Sequence, residues 1–118
     1  MTRHEDVPYI EHILDAINAI QKSVKNLSKE KFLEDDDVRD ANIRRLEIIG
    51  EATKNLSNEF KDNHRGIEWS KISGTRDKMI HKYFDVDMDI TWNIIKKDIP
   101  KLKKQIEKII KELKPKRY

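Results

Sequence analysis

The chain has 118 residues, of which 40% are charged and 36% hydrophobic, with no cysteine and a net charge of +3. That length supports one domain, residues 1–118, with a single modest core. Disulfides and thiolate metal sites are excluded, which favours a reducing intracellular setting. No run of about 18 apolar residues is present, and Met1 to Asp6 leads into a charged helix, so the expectation is a cytoplasmic protein without a membrane anchor.

Three glycines, three prolines and apolar residues at helical spacing point to an all-α protein, an antiparallel bundle of four to five helices. The first helix is expected from about Val7 to Asn26, with Pro8 in its first turn and Ile10, Ile13, Leu14, Ile17, Ile20 and Val24 on one stripe. Ser28 is placed to start a short segment around Phe32. Asp35, Asp36 and Asp37 then cap a long helix to about Phe60, where carboxylates complement the helix dipole; this is a better use of them than a metal site. That helix turns Ala41, Leu46, Ile49, Ala52, Thr53, Leu56 and Phe60 inward. Gly50 in its middle costs about 1 kcal/mol relative to alanine, which implies the close approach of another backbone. Lys61 to Gly74 reads as a loop in which Trp69 and Ile72 anchor a short helical turn.

A further helical stretch is expected from Thr75 to Phe84. Asp85, Asp87 and Asp89 follow; a calcium loop is excluded because Ile90 stands where glycine is required and Lys96 where a bidentate glutamate is required, so helix capping is the better reading. The last helix runs to Leu113 and should bend at Pro100, which lacks an N–H. His4, His12 and His64 show no paired-ligand spacing and are assigned to the surface.

The chemistry concentrates in Arg76-Asp77-Lys78-Met79-Ile80-His81-Lys82-Tyr83. An arginine can hold phosphate oxygens at any pH, and a histidine can take and return a proton near neutrality. On a helix Asp77 and His81 share a face, so the carboxylate would fix the imidazole tautomer. Arg76 and Tyr83 align within about 20°, while Arg76 and His81 lie about 140° apart around the axis.

With Arg44 to Ala52 and Ile67 to Gly74, this segment and the stretch Ile94 to Ile109 make the chain resemble the HepT-like branch of the HEPN superfamily, over nearly its whole length. The resemblance implies a HEPN-like bundle and a metal-independent, cofactor-free endoribonuclease, the toxin of a type VII-like toxin–antitoxin pair. Arg76, Asp77 and His81 occupy the positions of the catalytic motif. Tyr83 matches the tyrosine onto which a small nucleotidyltransferase antitoxin transfers AMP. Homodimerisation, with two motifs in one cleft, is implied too, and tRNA is the suspected substrate.

Charge placement agrees with a polyanion partner. From Lys96 to Tyr118 ten basic residues face three acidic ones, a local charge of +7, which leaves −4 for residues 1–95. A solvated lysine-rich helix face would look the same from composition alone. Rival readings are a noncatalytic module that docks the nucleotidyltransferase and a purely structural helical dimer. The intact Arg76/His81 pair favours the enzyme, because a binding module has no need of an imidazole.

Overall fold

A computed structural model describes residues 4–82 and 85–113; of His4, His81, Lys82 and Asp85 it describes the backbone alone. After a 3-10 turn, His4–Asp6, come α1 (Val7–Val24), α2 (Lys29–Glu34), α3 (Asp36–Lys54), α4 (Asn58–Asn63), α5 (Trp69–Ser73) and α6 (Thr75–Met79). A small antiparallel ribbon, β1 (Ile80–Lys82) and β2 (Asp85–Val86), precedes α7 (Met88–Asn93), and a π turn, Ile94–Asp98, joins α7 to α8 (Ile99–Leu113). The architecture is the expected all-α bundle. The ribbon is a local interruption that forms no layer of the core.

The helices form where the apolar spacing says they should. On α1, Ile10, Ile13, Ala16, Ile17, Ile20 and Val24 are buried, a continuous stripe against α3 and α8. Ser28 caps α2 by accepting the Lys31 N–H at 3.2 Å, and Asp35 caps α3 by accepting the Val38 N–H at 3.1 Å. Phe32 of α2 is fully buried with its ring 5.0 Å from that of Trp92 on α7, and Lys29 pairs with Asp89 at 2.8 Å, so α2 is fastened across the start of α7.

Three expectations are corrected. The long helix stops at Lys54 rather than near Phe60, which belongs to α4. The reason is a tertiary tether: the Ser57 N–H and hydroxyl both donate to the carboxylate of Asp6, each at 2.7 Å, while Ser57 Oγ accepts the Phe60 N–H and starts α4. Secondly, of the loop expected over Lys61 to Gly74, the helical turn anchored by Trp69 and Ile72 is present as α5, but Lys61 to Asn63 belong to α4, leaving 64–68 as the connection. His64 is half-buried rather than a plain surface residue. Its ring lies 4.4 Å from that of Phe60, Nδ1 donates to the Phe60 carbonyl at 2.9 Å, and its own carbonyl accepts from Trp69 Nε1 at 3.0 Å. Thirdly, Pro100 is the second residue of α8, directly after the π turn, rather than in the interior of a longer regular helix. The π turn before it bonds the Ile99 N–H to the Ile94 carbonyl, five residues back, so the frame is already widened where the proline ring must fit.

Asp6 is 1% exposed, and its carboxylate satisfies two donors at the head of α4. Removing one partner of a buried charged hydrogen bond costs about 1.5–3 kcal/mol. Asp6→Ala should therefore lower unfolding stability by about 2–4 kcal/mol, read as a lower urea midpoint at unchanged slope. A midpoint within error of the parent would show that the tether is not what ends α3.

Candidate nucleic-acid site between α3 and α6

The site is built on a close crossing. A Cβ added to Gly50 of α3 would lie 3.6 Å from the carbonyl oxygens of both Ile72 and Ser73, so the C-terminal end of α5 rests almost directly on the α3 backbone. This is the approach that the mid-helix glycine implied. Trp69, buried, and Ile72, half-buried, hold α5 in that position, and Thr75 Oγ1 donates to the Ile72 carbonyl at 2.7 Å, closing the end of α5 as α6 begins. Gly74 joins the two helices with its N–H bonded to the Ser70 carbonyl at 3.0 Å. Arg76 is thereby delivered, one residue into α6, to the edge of α3.

There it meets Glu47. Arg76 and Glu47 form an ion pair, Nε to Oε2 at 3.2 Å, with the arginine side chain 66% exposed and the glutamate 28% exposed. Because the contact uses Nε, the two terminal nitrogens of the guanidinium have no partner among the described residues and can reach an anion. Around this pair lies a groove of about 230 Å³ lined by Arg44, Glu47, Gly50, Glu51, Lys54, Ser73 and Arg76. Arg44, Glu47, Glu51 and Lys54 follow one another at helical spacing on the outer side of α3, and Glu51 and Lys54 are 3.5 Å apart. Arg44 pairs with no acid among the described residues.

The other residues of the motif are disposed differently from a continuous helix. Asp77 is exposed on α6. The helix ends at Met79, and Ile80 is already extended at φ −78° and ψ 121°, so His81 lies in β1. Contrary to expectation, Asp77 and His81 therefore do not stand at i and i+4 of one continuous helix. What ends α6 is the return of the chain: the Asp87 N–H donates to the Met79 carbonyl at 2.7 Å, and Ile80 pairs with Val86. Asp87 then caps α7, its carboxylate accepting the Ile90 N–H at 3.0 Å, which agrees with the capping role read for this acidic stretch. Three helical steps and two extended ones put the backbones of Arg76 and His81 within about 11 Å of one another. Tyr83 lies outside the described residues.

Glu47 and Arg44 are site residues that the motif alone did not single out. The signal was available: Glu47 is one turn before Gly50, the position that admits α5, and Arg44 is one turn earlier on the same side.

Residues 13–109 match the family pattern described as Ribonuclease HepT-like. The chain belongs to the HepT-like ribonuclease family. By that membership its enzyme class is endoribonuclease. It is 46% identical over 105 residues to a candidate RNase of Caldanaerobacter subterraneus subsp. tengcongensis, covering 89% of this chain and 94% of the relative. It is 45% identical over 108 residues to the probable ribonuclease HepT of Thermococcus cleftensis, covering 92% and 96%. A third relative, from Methanocaldococcus jannaschii, is named as a gamma-glutamylcyclotransferase and candidate RNase; it is 47% identical over 105 residues, but the chain spans only 47% of its length. No solved structure matches the chain. Among the described residues, no helix of this HepT-like protein is long and apolar enough to cross a membrane.

The crossing at Gly50 makes a graded prediction. Alanine there keeps ordinary van der Waals distance from the α5 carbonyls, so Gly50→Ala should change stability by no more than about 1 kcal/mol. Gly50→Val adds branches that have nowhere to go and should cost about 2–3 kcal/mol, displacing Arg76 from Glu47 and reducing RNA cleavage in step. Equal thermal midpoints for the valine variant and the parent would contradict the crossing.

Proposed function

We propose that this HepT-like protein is the toxin of a toxin–antitoxin pair, a metal-independent endoribonuclease that cuts RNA by internal transfer. The supporting observation is the Arg76 guanidinium, ion-paired at its Nε side with Glu47 and with no other partner among the described residues, in a groove that Arg44 also lines. A phosphodiester seated there would have Arg76, assisted by Arg44, compensating the charge that builds on the phosphorane oxygens. His81 assists removal of the ribose 2′-hydroxyl proton or protonates the departing 5′-oxygen. The attacking 2′-oxygen forms the new bond to phosphorus as the bond to the 5′-oxygen breaks, so the products are a 2′,3′-cyclic phosphate and a free 5′-hydroxyl. No water is needed as nucleophile, and DNA, lacking the 2′-hydroxyl, is not a substrate.

One imidazole cannot be base and acid in the same instant. In this reading a second copy of the chain supplies the complementary group, in a homodimer whose two motifs share one cleft. Asp77, separated from His81 by the end of α6, serves the site as a polar neighbour of Arg76 rather than as a helical partner of the imidazole. Tyr83, two residues beyond His81 in sequence, is the acceptor for AMP from a nucleotidyltransferase antitoxin. The added phosphate competes with RNA for the Arg76 guanidinium by charge and blocks the groove by bulk. tRNA is the proposed substrate class.

Arg76→Ala should lower RNA cleavage by about 100- to 1,000-fold and His81→Ala by at least about 100-fold, with EDTA without effect on the parent. The thermal midpoint should hardly move in Arg76→Ala, because an exposed ion pair contributes about 1 kcal/mol or less. Glu47→Ala should cost about tenfold in kcat through loss of the guanidinium's orientation. Cleavage of DNA, dependence on a divalent ion, or equal growth arrest from parent and His81→Ala would overturn the reading, the last in favour of a noncatalytic module.

Tyr83→Phe should keep the nuclease and escape neutralisation. Mass spectrometry after incubation with the antitoxin and ATP checks this by locating the AMP. A phenylalanine variant still modified and still silenced would place the modification elsewhere.

A further inference from the structure

The ten basic residues near the C-terminus are not one undifferentiated cloud, because the fold sorts them. Lys96 is taken up with Trp92, its Nζ 4.8 Å from the ring centroid. Lys103 turns toward α1 and donates to Gln21 Oε1 at 3.1 Å. Lys114, Lys116 and Arg117 lie outside the described residues. The remaining five, Lys97, Lys101, Lys104, Lys108 and Lys111, are all exposed and succeed one another at intervals of four, three, four and three residues. That is the repeat that keeps side chains on one face, so the four on α8 fall within a sector of about 80° opposite the buried Leu102, Ile106 and Ile109. No acidic residue occupies a position of this row. Lys101 is 3.9 Å from Glu68, and the other four meet no acid among the described residues.

One end of the row comes close to the segment that carries Arg76. Lys71 and Thr75, the latter adjacent in sequence to Arg76, line the same small cavity as Asp98 and Lys101, so the row borders that segment at Lys101. From there it runs outward for about 21 Å.

We propose that these lysines are an RNA-backbone ridge, a second contact surface that engages phosphates of the same strand beyond the linkage in the Arg76 groove. The inference rests on the ribonuclease reading for its choice of polyanion. Unpaired ammonium groups repeating every turn on a rigid helix match the regular charge of a phosphate chain, and they carry no donors and acceptors arranged to read bases. The ridge therefore supplies affinity and length preference without sequence preference. A dinucleotide occupying the groove is too short to reach it.

The test replaces Lys97, Lys104, Lys108 and Lys111 together with glutamine, leaving Lys101 and every groove residue in place. Binding of labelled polyuridylate is measured across a salt series in a His81→Ala background, so that nothing is cut. Each single-strand phosphate contact contributes about 0.7 to the slope of log affinity against log salt, so the slope should fall by about 3 and affinity at low salt by about 10- to 100-fold. With His81 present, KM for polyuridylate should rise by a similar factor while kcat and turnover of a uridine dinucleotide stay unchanged.

An unchanged salt slope with a native circular dichroism spectrum overturns the ridge. So does a variant that retains RNA affinity but no longer sediments with phosphatidylserine vesicles, which would assign the row to anionic lipid instead. Because the slope is measured without cleavage, a protein that binds through the ridge yet cuts nothing would sink the nuclease mechanism and leave this surface standing.

Discussion

The contact between Gly50 and the last carbonyls of α5 sets the geometry of everything that follows it in the chain. The Ile72 and Ser73 carbonyls settle on α3 at a distance that leaves room for no more than a methyl group, and α6 begins at a fixed height above the same helix. Arg76 is then within reach of Glu47, three residues from the glycine. The crossing and the ion pair are thus two ends of one arrangement. A helix-interior glycine, unfavourable by about 1 kcal/mol as local structure, is tolerated because it admits a neighbour that a larger residue would hold off.

The ion pair itself adds little to folding. An arginine two-thirds exposed, paired through one nitrogen, is worth about 1 kcal/mol at most in water. Its consequence is orientational. Glu47 is the less exposed partner and is carried by a long helix, so it restrains a flexible cation at the mouth of a groove while leaving the outer nitrogens uncommitted. In the proposed reading, that division leaves the cation available to a phosphate.

Two buried polar ties serve the scaffold around this groove. Asp6 brings the start of the chain to Ser57 and forces α3 to stop before α4. Asn42, fully buried, donates to Ser23 Oγ at 3.1 Å and to the Val38 carbonyl at 2.9 Å while accepting from Arg45 Nη1, which fixes α1 against α3 through specific bonds as well as apolar area. Both are satisfied networks, so their burial is not a penalty. Each also specifies a register that packing of isoleucine side chains would leave loose.

Much of this was legible in the residues. The apolar stripe of α1, the caps at Ser28 and Asp35, the short helix anchored by Trp69, the close approach at Gly50 and the capping use of the aspartates after Phe84 follow from local rules, since spacing and capping act within a few residues. The end of α3 depends on a partner distant in sequence and the break after Met79 on the return of the chain at Asp87, and local periodicity carries no information about either. Asp6 is 51 residues from Ser57. The continuation of α6 through His81 was the natural reading of Arg76 to Tyr83, and it failed because the returning Asp87 N–H bonds to the Met79 carbonyl, which converts the next residues into a ribbon. The sequence determined which groups are present and which segments are helical, because side-chain chemistry and periodicity are local properties. Only the tertiary structure decided that Arg76 is oriented by Glu47 beside Arg44 and that His81 stands on a strand, because those relations are made by backbones that meet after the chain has turned back on itself.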